Sequence, residues 1–271
     1  MNLEAIHFLI APFFMCLILA GIHCYLGLHV LARGVIFVDL SLAQVAAFGA
    51  TLAVLFGIDH HSPATYFISL GSTFCAAGLF ALAQRYEKVF SQEAIIGIVY
   101  ALASASVVLV VDKVAHGAEH IKDLLVGQVL WVTWFDVIKT GLIYATVAVV
   151  HYFFRKQLLA ASFDPAHGSH GVWDFLFYAL FGVVITSSVS VAGVLQVFAY
   201  LIVPSVVSTL FFKTIRARLI FGWILGFLLS FVGLVLSHLW DLPAGAFIVV
   251  CFAGLPVLLL LFSRFLGLKQ A

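Results

Sequence analysis

The chain has 271 residues, of which 64% are apolar and only 9% are charged, against about 25% charged in ordinary soluble domains. So few charges cannot cover the surface of a soluble fold of this length, which excludes a soluble enzyme, a nucleic-acid binder and a disordered chain. The apolar runs are long and unbroken, unlike the period-two strands of a membrane barrel, so the composition points to an all-α polytopic membrane protein.

A crossing helix needs about 20 mostly apolar residues, because backbone amides in lipid must be satisfied within their own segment. Nine runs meet this in chain order: 5–31, 35–56, 63–83, 94–111, 131–154, 172–189, 194–212, 220–239 and 244–262. Only residues 190–193 separate the sixth and seventh, so eight spans stay open as the alternative count. The connections are short, the longest being about 155–171, and residues 1–271 read as one membrane domain. Cys16, Cys24, Cys75 and Cys251 all fall within apolar runs and form no CxxC pair, so they read as small packing residues. The first cation is Arg33, so the first run lacks the basic flank of a cleavable signal peptide.

The cations orient the bundle. With the amino terminus outside, the inner side receives Arg33, Arg85, Lys88, Arg155, Lys156, Lys213, Arg216, Arg218, Arg264 and Lys269. The outer side receives only Lys113 and Lys122, while Lys139 lies within the fifth run. Cytoplasmic loops retain cations, so this bias predicts an outer amino terminus and an inner carboxy terminus.

The outer loops collect metal-capable side chains. His60 and His61 lie in one loop, and His116, Glu119 and His120 in the next, with His238 and Asp241 at the outer end of the eighth run. Neutral imidazole and carboxylate are the usual nitrogen and oxygen ligands of zinc, manganese or iron. On a helix His116 and His120 would share a face; the alternative is that all of these are ordinary wetted loop residues. His116 to His120 also fits a short HxxEH peptidase pattern, set aside because the segment is a glycine-containing loop between spans.

Within the spans, ionisable groups are costly and mark function by default. Asp39 stands near the start of the second run, beside Ser41 and Gln44, and these three are the candidate transport path. The competing reading places Asp39 at the inner interface, paired with Arg33. Ala46, Gly49, Ala50 and Ala53 of the same run read as a close-packed helix seam. His23, His29 and His151 read as buried histidines hydrogen-bonded to neighbouring helices. Gly193 and Pro204 bracket a helix expected to be locally broken, as in transporters whose breaks line the substrate path.

No lysine follows a glycine anywhere, so there is no GxxxxGK[ST] phosphate loop, and no GxSxG elbow is present. The chain does not hydrolyse ATP by that route, and no catalytic residue is assigned.

Four stretches together resemble the zinc/manganese/iron family of ABC-transporter permeases. Residues 193–204 read GVLQVFAYLIVP, residues 233–245 read GLVLSHLWDLPAG, residues 162–165 read SFDP and residues 123–130 read DLLVGQVL. Glu93 to Val99, EAIIGIV, is similar as well. The resemblance implies a homodimeric permease in a bacterial inner membrane, working with a cytoplasmic ATPase and an extracytoplasmic metal-binding protein. It implies no covalently bound cofactor, only a transported divalent metal. It also implies that Phe163, Asp164 and Pro165 couple the chain to the ATPase, with His60, His61, His116, Glu119 and His120 as candidate receiving ligands at the outer face.

The second span departs from the family pattern, which reads roughly GDALSHAVLPG. Aligned on Gly49, this chain has Leu40 at the family's Asp position and Gln44 at its His position. Asp39 and Gln44 are five residues apart, about 140° around an ideal helix, so they do not converge without distortion. The leading expectation is an importer permease for zinc, manganese or iron. The alternatives are a permease for a chelated metal or other small nutrient, and a stand-alone secondary transporter or channel.

Overall fold

The computed structural model describes residues 3–59, 62–87, 89–113, 125–164 and 171–262, with side chains from residue 7 onward. The ordered elements are helical throughout the described residues: α1 (Leu3–Arg33), α2 (Val38–Leu55), α3 (Pro63–Arg85), α4 (Gln92–Val111), a 3₁₀ turn at Val129–Trp131, α5 (Trp134–Phe153), α6 (Arg155–Phe163), α7 (Val172–Phe211), α8 (Ile215–Trp240) and α9 (Ala244–Leu261).

Local chemistry sets several of the ends. Ser62 caps α3 by accepting the Thr65 amide, with Pro63 in the first turn where its missing N–H costs nothing. Thr133 and Asp136 form a reciprocal capping box at α5. Thr214 caps α8 through the Ala217 amide, and α8 ends on Asp241 in the left-handed region (φ 53°). The amino-terminal end of α2 is capped from another helix: Glu93 Oε1 of α4 accepts the Phe37 amide at 3.2 Å.

Seven helices are long and apolar enough to cross a membrane, and α5 with α6, bent by 82° at Phe154, forms an eighth candidate. α7, at 40 residues, is about 60 Å long by helix rise, twice a bilayer's hydrocarbon core of about 30 Å. Its partners along α1 explain the excess. Asp174 meets Arg33, Phe177 packs on His29 and Ser188 meets His23, so the first arm climbs α1 toward its amino-terminal end, and Gln196, just past the turn, meets Cys16. Then Leu201 lies against Gly27 and Ser205 Oγ donates to the Cys24 carbonyl, so the second arm descends again. The reversal is at Gly193 (φ 74°, ψ 164°), which divides arms 172–192 and 194–211. Counted as two arms, α7 restores nine crossing segments. The expected break is at Gly193 alone; Pro204 lies within the helical second arm.

Gly193 is also a point of backbone contact. Gly127 (φ 70°) lies against it so closely that a Cβ on either glycine would strike the other's backbone. The Gln128 amide donates to the Val191 carbonyl there at 3.0 Å. The hairpin tip of α7 is thereby locked onto the segment that leads into α5.

α1 and both arms of α7 form the centre, with Tyr178, Tyr200, Phe177 and Phe181 fully buried. Large apolar side chains on α4, α5, α8 and α9 remain exposed, as lipid-facing helices require. The predicted small-residue seam of α2 is present: Ala46, Gly49 and Ala53 are buried, Ser69 of α3 donates to the Ala46 carbonyl at 2.7 Å, and Gly49 fits against Ser69 and Ser72. The connection 155–171 is no plain loop, since α6 occupies its first half.

Candidate functional site

Asp39 sits in the first turn of α2 and is 1% exposed. Neither carboxylate oxygen has a hydrogen-bond partner, and neither does the Ser41 hydroxyl, which is also fully buried. Gln44 is half-buried further along the helix. Glu93 of α4, whose Oε1 accepts the Phe37 amide, likewise has a buried Oε2 without a partner. A buried orphan carboxylate is costly, so this corner of α2 and α4 is built at the expense of stability.

Arg33 does not relieve it. The competing reading's Arg33–Asp39 pair does not form; Arg33 instead meets Asp174, where Nη1 donates to Oδ1 at 2.8 Å with both side chains almost sealed (2% and 0% exposed). The reason is local. Asp174 lies in the first turn of α7, where a carboxylate is favoured, and its Oδ2 accepts the Gly171 amide at 3.1 Å. Arg33 also donates from Nε to Ser162 Oγ at 2.9 Å and from Nη1 to Gln84 Oε1 at 3.3 Å, and its guanidinium lies 4.3 Å over the Phe177 ring. One side chain thus ties the end of α1 to α3, α6 and α7.

A buried polar column runs up α1 from this hub. His29 Nδ1 hydrogen-bonds to Ser162 Oγ at 2.8 Å, and His151 Nδ1 to Tyr25 Oη at 3.3 Å. Higher up, His23 Nδ1 meets the Leu19 carbonyl at 2.8 Å and its Nε2 meets Ser188 Oγ at 3.2 Å, while Ser188 also bonds Tyr144. The predicted reading of these histidines as helix-to-helix contacts holds for each of the three. Gln92 of α4 adds a second polar tie, donating to the Phe80 carbonyl at 3.0 Å and to Tyr178 Oη at 2.8 Å.

At the same end of the bundle α6 carries the predicted coupling residues. Phe163 is half-buried with its ring 5.4 Å from that of His29, so it packs on its own chain. Asp164 is exposed and ends α6, its amide donating to the Ala160 carbonyl at 2.9 Å. Pro165 lies outside the described residues, as do His60, His61, His116, Glu119 and His120. His238 and Asp241 are exposed at the end of α8. Among the described residues no three His, Cys, Asp or Glu side chains come together as a metal-holding group. The structure therefore brings together α6 and the α1 column, and leaves Asp39 and Ser41 as buried groups without hydrogen-bond partners. Sequence reasoning missed Asp174 and Gln92; an acid three residues after Gly171 and a glutamine opening an apolar helix were the available signals.

These features sit on a chain whose sequence matches the ABC 3 transport family over residues 5–263. The chain belongs to that family. It is 26% identical to a probable iron transport system membrane protein of Haemophilus influenzae, over 94% of this chain and 92% of the relative. It is 24% identical to the manganese import system permease protein ScaB of Streptococcus gordonii, over 99% of this chain and 95% of the relative. Its fold is that of PsaBC from Streptococcus pneumoniae, solved in complex with Fab, with TM-score 0.78, 20% identity and full coverage of both chains. The member of the ABC 3 transport family described here is thus a multi-pass membrane transport subunit, and not an enzyme; in such systems ATP hydrolysis belongs to a separate protein.

Proposed function

We propose that the chain is the permease of a binding-protein-dependent importer for a divalent transition metal: manganese, iron or zinc. The observation that carries this is the family match along nearly the whole chain, joined to relatives named for iron and manganese transport. The amino terminus is outside and the carboxy terminus inside a bacterial inner membrane, a reading supported by the cation bias. Two copies form the pathway. An extracytoplasmic binding protein delivers the ion to the outer loops, where His60, His61, His116, Glu119 and His120 receive it. A cytoplasmic ATPase grips the stretch around Phe163, Asp164 and Pro165.

The Arg33 hub gives this scheme a physical route. α6 is fixed to α1 through Ser162, and α1 to α7 through the Arg33–Asp174 pair, so displacement of α6 reaches the central helices without an intervening flexible link. Asp39, Ser41 and Gln44 are the proposed path residues. A buried acid without partners is available to a passing cation, whereas a saturated one is not.

One observation favours a second reading, a chelated metal as cargo. Gln44 stands where the family has His and Leu40 where it has Asp, so the second span lacks the paired donors that suit a bare ion. Cells carrying the ATPase and binding protein, with and without this chain, decide between them. Radiolabelled manganese, iron and zinc are supplied free or as chelates. Chain-dependent accumulation of a free metal supports the first reading, accumulation of the chelate alone the second. Equal accumulation of every form without the chain removes both.

A further inference from the structure

His29 and His151 face one another across α1 and α5, and both are buried (1% and 2% exposed). Their ring centres are 6.1 Å apart. Each spends Nδ1 on a hydroxyl, Ser162 for His29 and Tyr25 for His151. Each leaves Nε2 sealed from solvent with no hydrogen-bond partner. A buried polar atom in that state calls for a bound ion or water, and here two such atoms of the same kind occur on neighbouring rings.

The spacing has a chemical meaning. An imidazole nitrogen binds a transition metal at about 2.0–2.1 Å and its ring centre lies about 1.1 Å further back, so two imidazoles on one metal have centres roughly 5.2–6.4 Å apart. The observed separation falls toward the open end of that interval, where the two nitrogens flank the metal at an angle wider than tetrahedral. The hydroxyls on Nδ1 also match the outer partners that fix the tautomer of a ligating histidine and leave Nε2 to the metal. The neighbouring cation is already neutralised, since Arg33 is paired with Asp174 at 2.8 Å.

We propose that His29 and His151 form a two-imidazole site for a divalent transition metal at the end of the bundle that carries α6. Two protein ligands make a weak, exchangeable site, which suits a resting point on a path better than permanent storage. Ser162 Oγ touches both His29 and Arg33, so ligation at His29 bears directly on α6. The site's role on a path rests on the cargo reading above; its capacity to bind metal does not.

The test uses the full chain in detergent, with His7, His60, His61, His116, His120 and His238 changed to Ala to remove the outer imidazoles. Co²⁺ is titrated and read by its visible absorption and by equilibrium binding. One Co²⁺ per chain that is lost in His29→Asn and in His151→Asn is the expected result. No Co²⁺ in the parent, or unchanged binding in both Asn variants, overturns the proposal and leaves water on the two nitrogens. Where an Asn variant does not fold, Ser162→Ala decides: about tenfold weaker Co²⁺ binding is expected, and unchanged binding overturns the site. Metal uptake by a chain that binds no Co²⁺ here sinks this inference alone. Co²⁺ binding here by a chain that imports no metal sinks the cargo reading alone.

Discussion

Arg33 and Asp174, 141 residues apart in sequence, meet at 2.8 Å in a site sealed from solvent and fasten the end of α1 to the start of α7. Removing one partner of such a pair leaves an uncompensated buried charge, which costs about 3–5 kcal/mol. Asp174→Asn and Arg33→Gln are each expected to lower the thermal unfolding midpoint in detergent sharply. The double change Arg33→Met with Asp174→Leu removes both charges and is expected to be milder than either single change. Midpoints of the four proteins check this; a double variant worse than both singles contradicts it.

Gly193 and Gly21 are predicted to respond to alanine with opposite signs. Gly193 has φ 74° and its Cβ would strike the backbone around Gly127, so Gly193→Ala meets both left-handed strain of about 1–3 kcal/mol and a collision at the hairpin tip. Gly21 lies within α1 with nothing within 4 Å of a Cβ, and there alanine is the better helix former by about 1 kcal/mol. The yield of monodisperse protein and its unfolding midpoint should fall for Gly193→Ala and hold or rise for Gly21→Ala.

Asp164 is exposed at the end of α6, while the neighbouring Ser162 is buried in the hub. On the proposed function the two positions separate docking from transmission. Asp164→Ala is expected to reduce uptake at least tenfold and to weaken co-purification of the ATPase. Ser162→Ala should leave co-purification intact yet reduce uptake, because the link from α6 to His29 and Arg33 is cut. Pull-down and uptake measured on the same membranes check both; wild-type uptake in Asp164→Ala refutes the docking assignment.

The spans were legible because lipid leaves a helix no alternative: the apolar runs at 35–56 and 63–83 map closely onto α2 and α3. Even the divided α7 was signalled, by the short interruption at 190–193 that ends on Gly193. The partner of Arg33 was not legible. Asp39 is six residues away in sequence and looked sufficient, but the chain turns at Gly34 (φ 69°) and the guanidinium settles on a carboxylate already held at a helix start. Pairing across 141 residues depends on how helices pack, and no local pattern encodes it. The same holds for His29 and His151, whose juxtaposition needs α1 beside α5.

Asp39 is the sharpest test of the proposed path. Its two oxygens are buried without hydrogen-bond partners, so the cost of burying the charge outweighs the favour of a first-turn position and a neutral isostere should be tolerated. Asp39→Asn is expected to match or exceed the wild-type unfolding midpoint while uptake falls at least tenfold. Placing a donor pair four residues apart, by Leu40→Asp with Gln44→His, puts two metal-ligating groups on one face of α2. In the Asp39→Asn background that change is expected to recover part of the uptake of free metal. Stability and uptake that fall together in Asp39→Asn would instead make Asp39 a structural residue, and unaltered uptake would take it off the path.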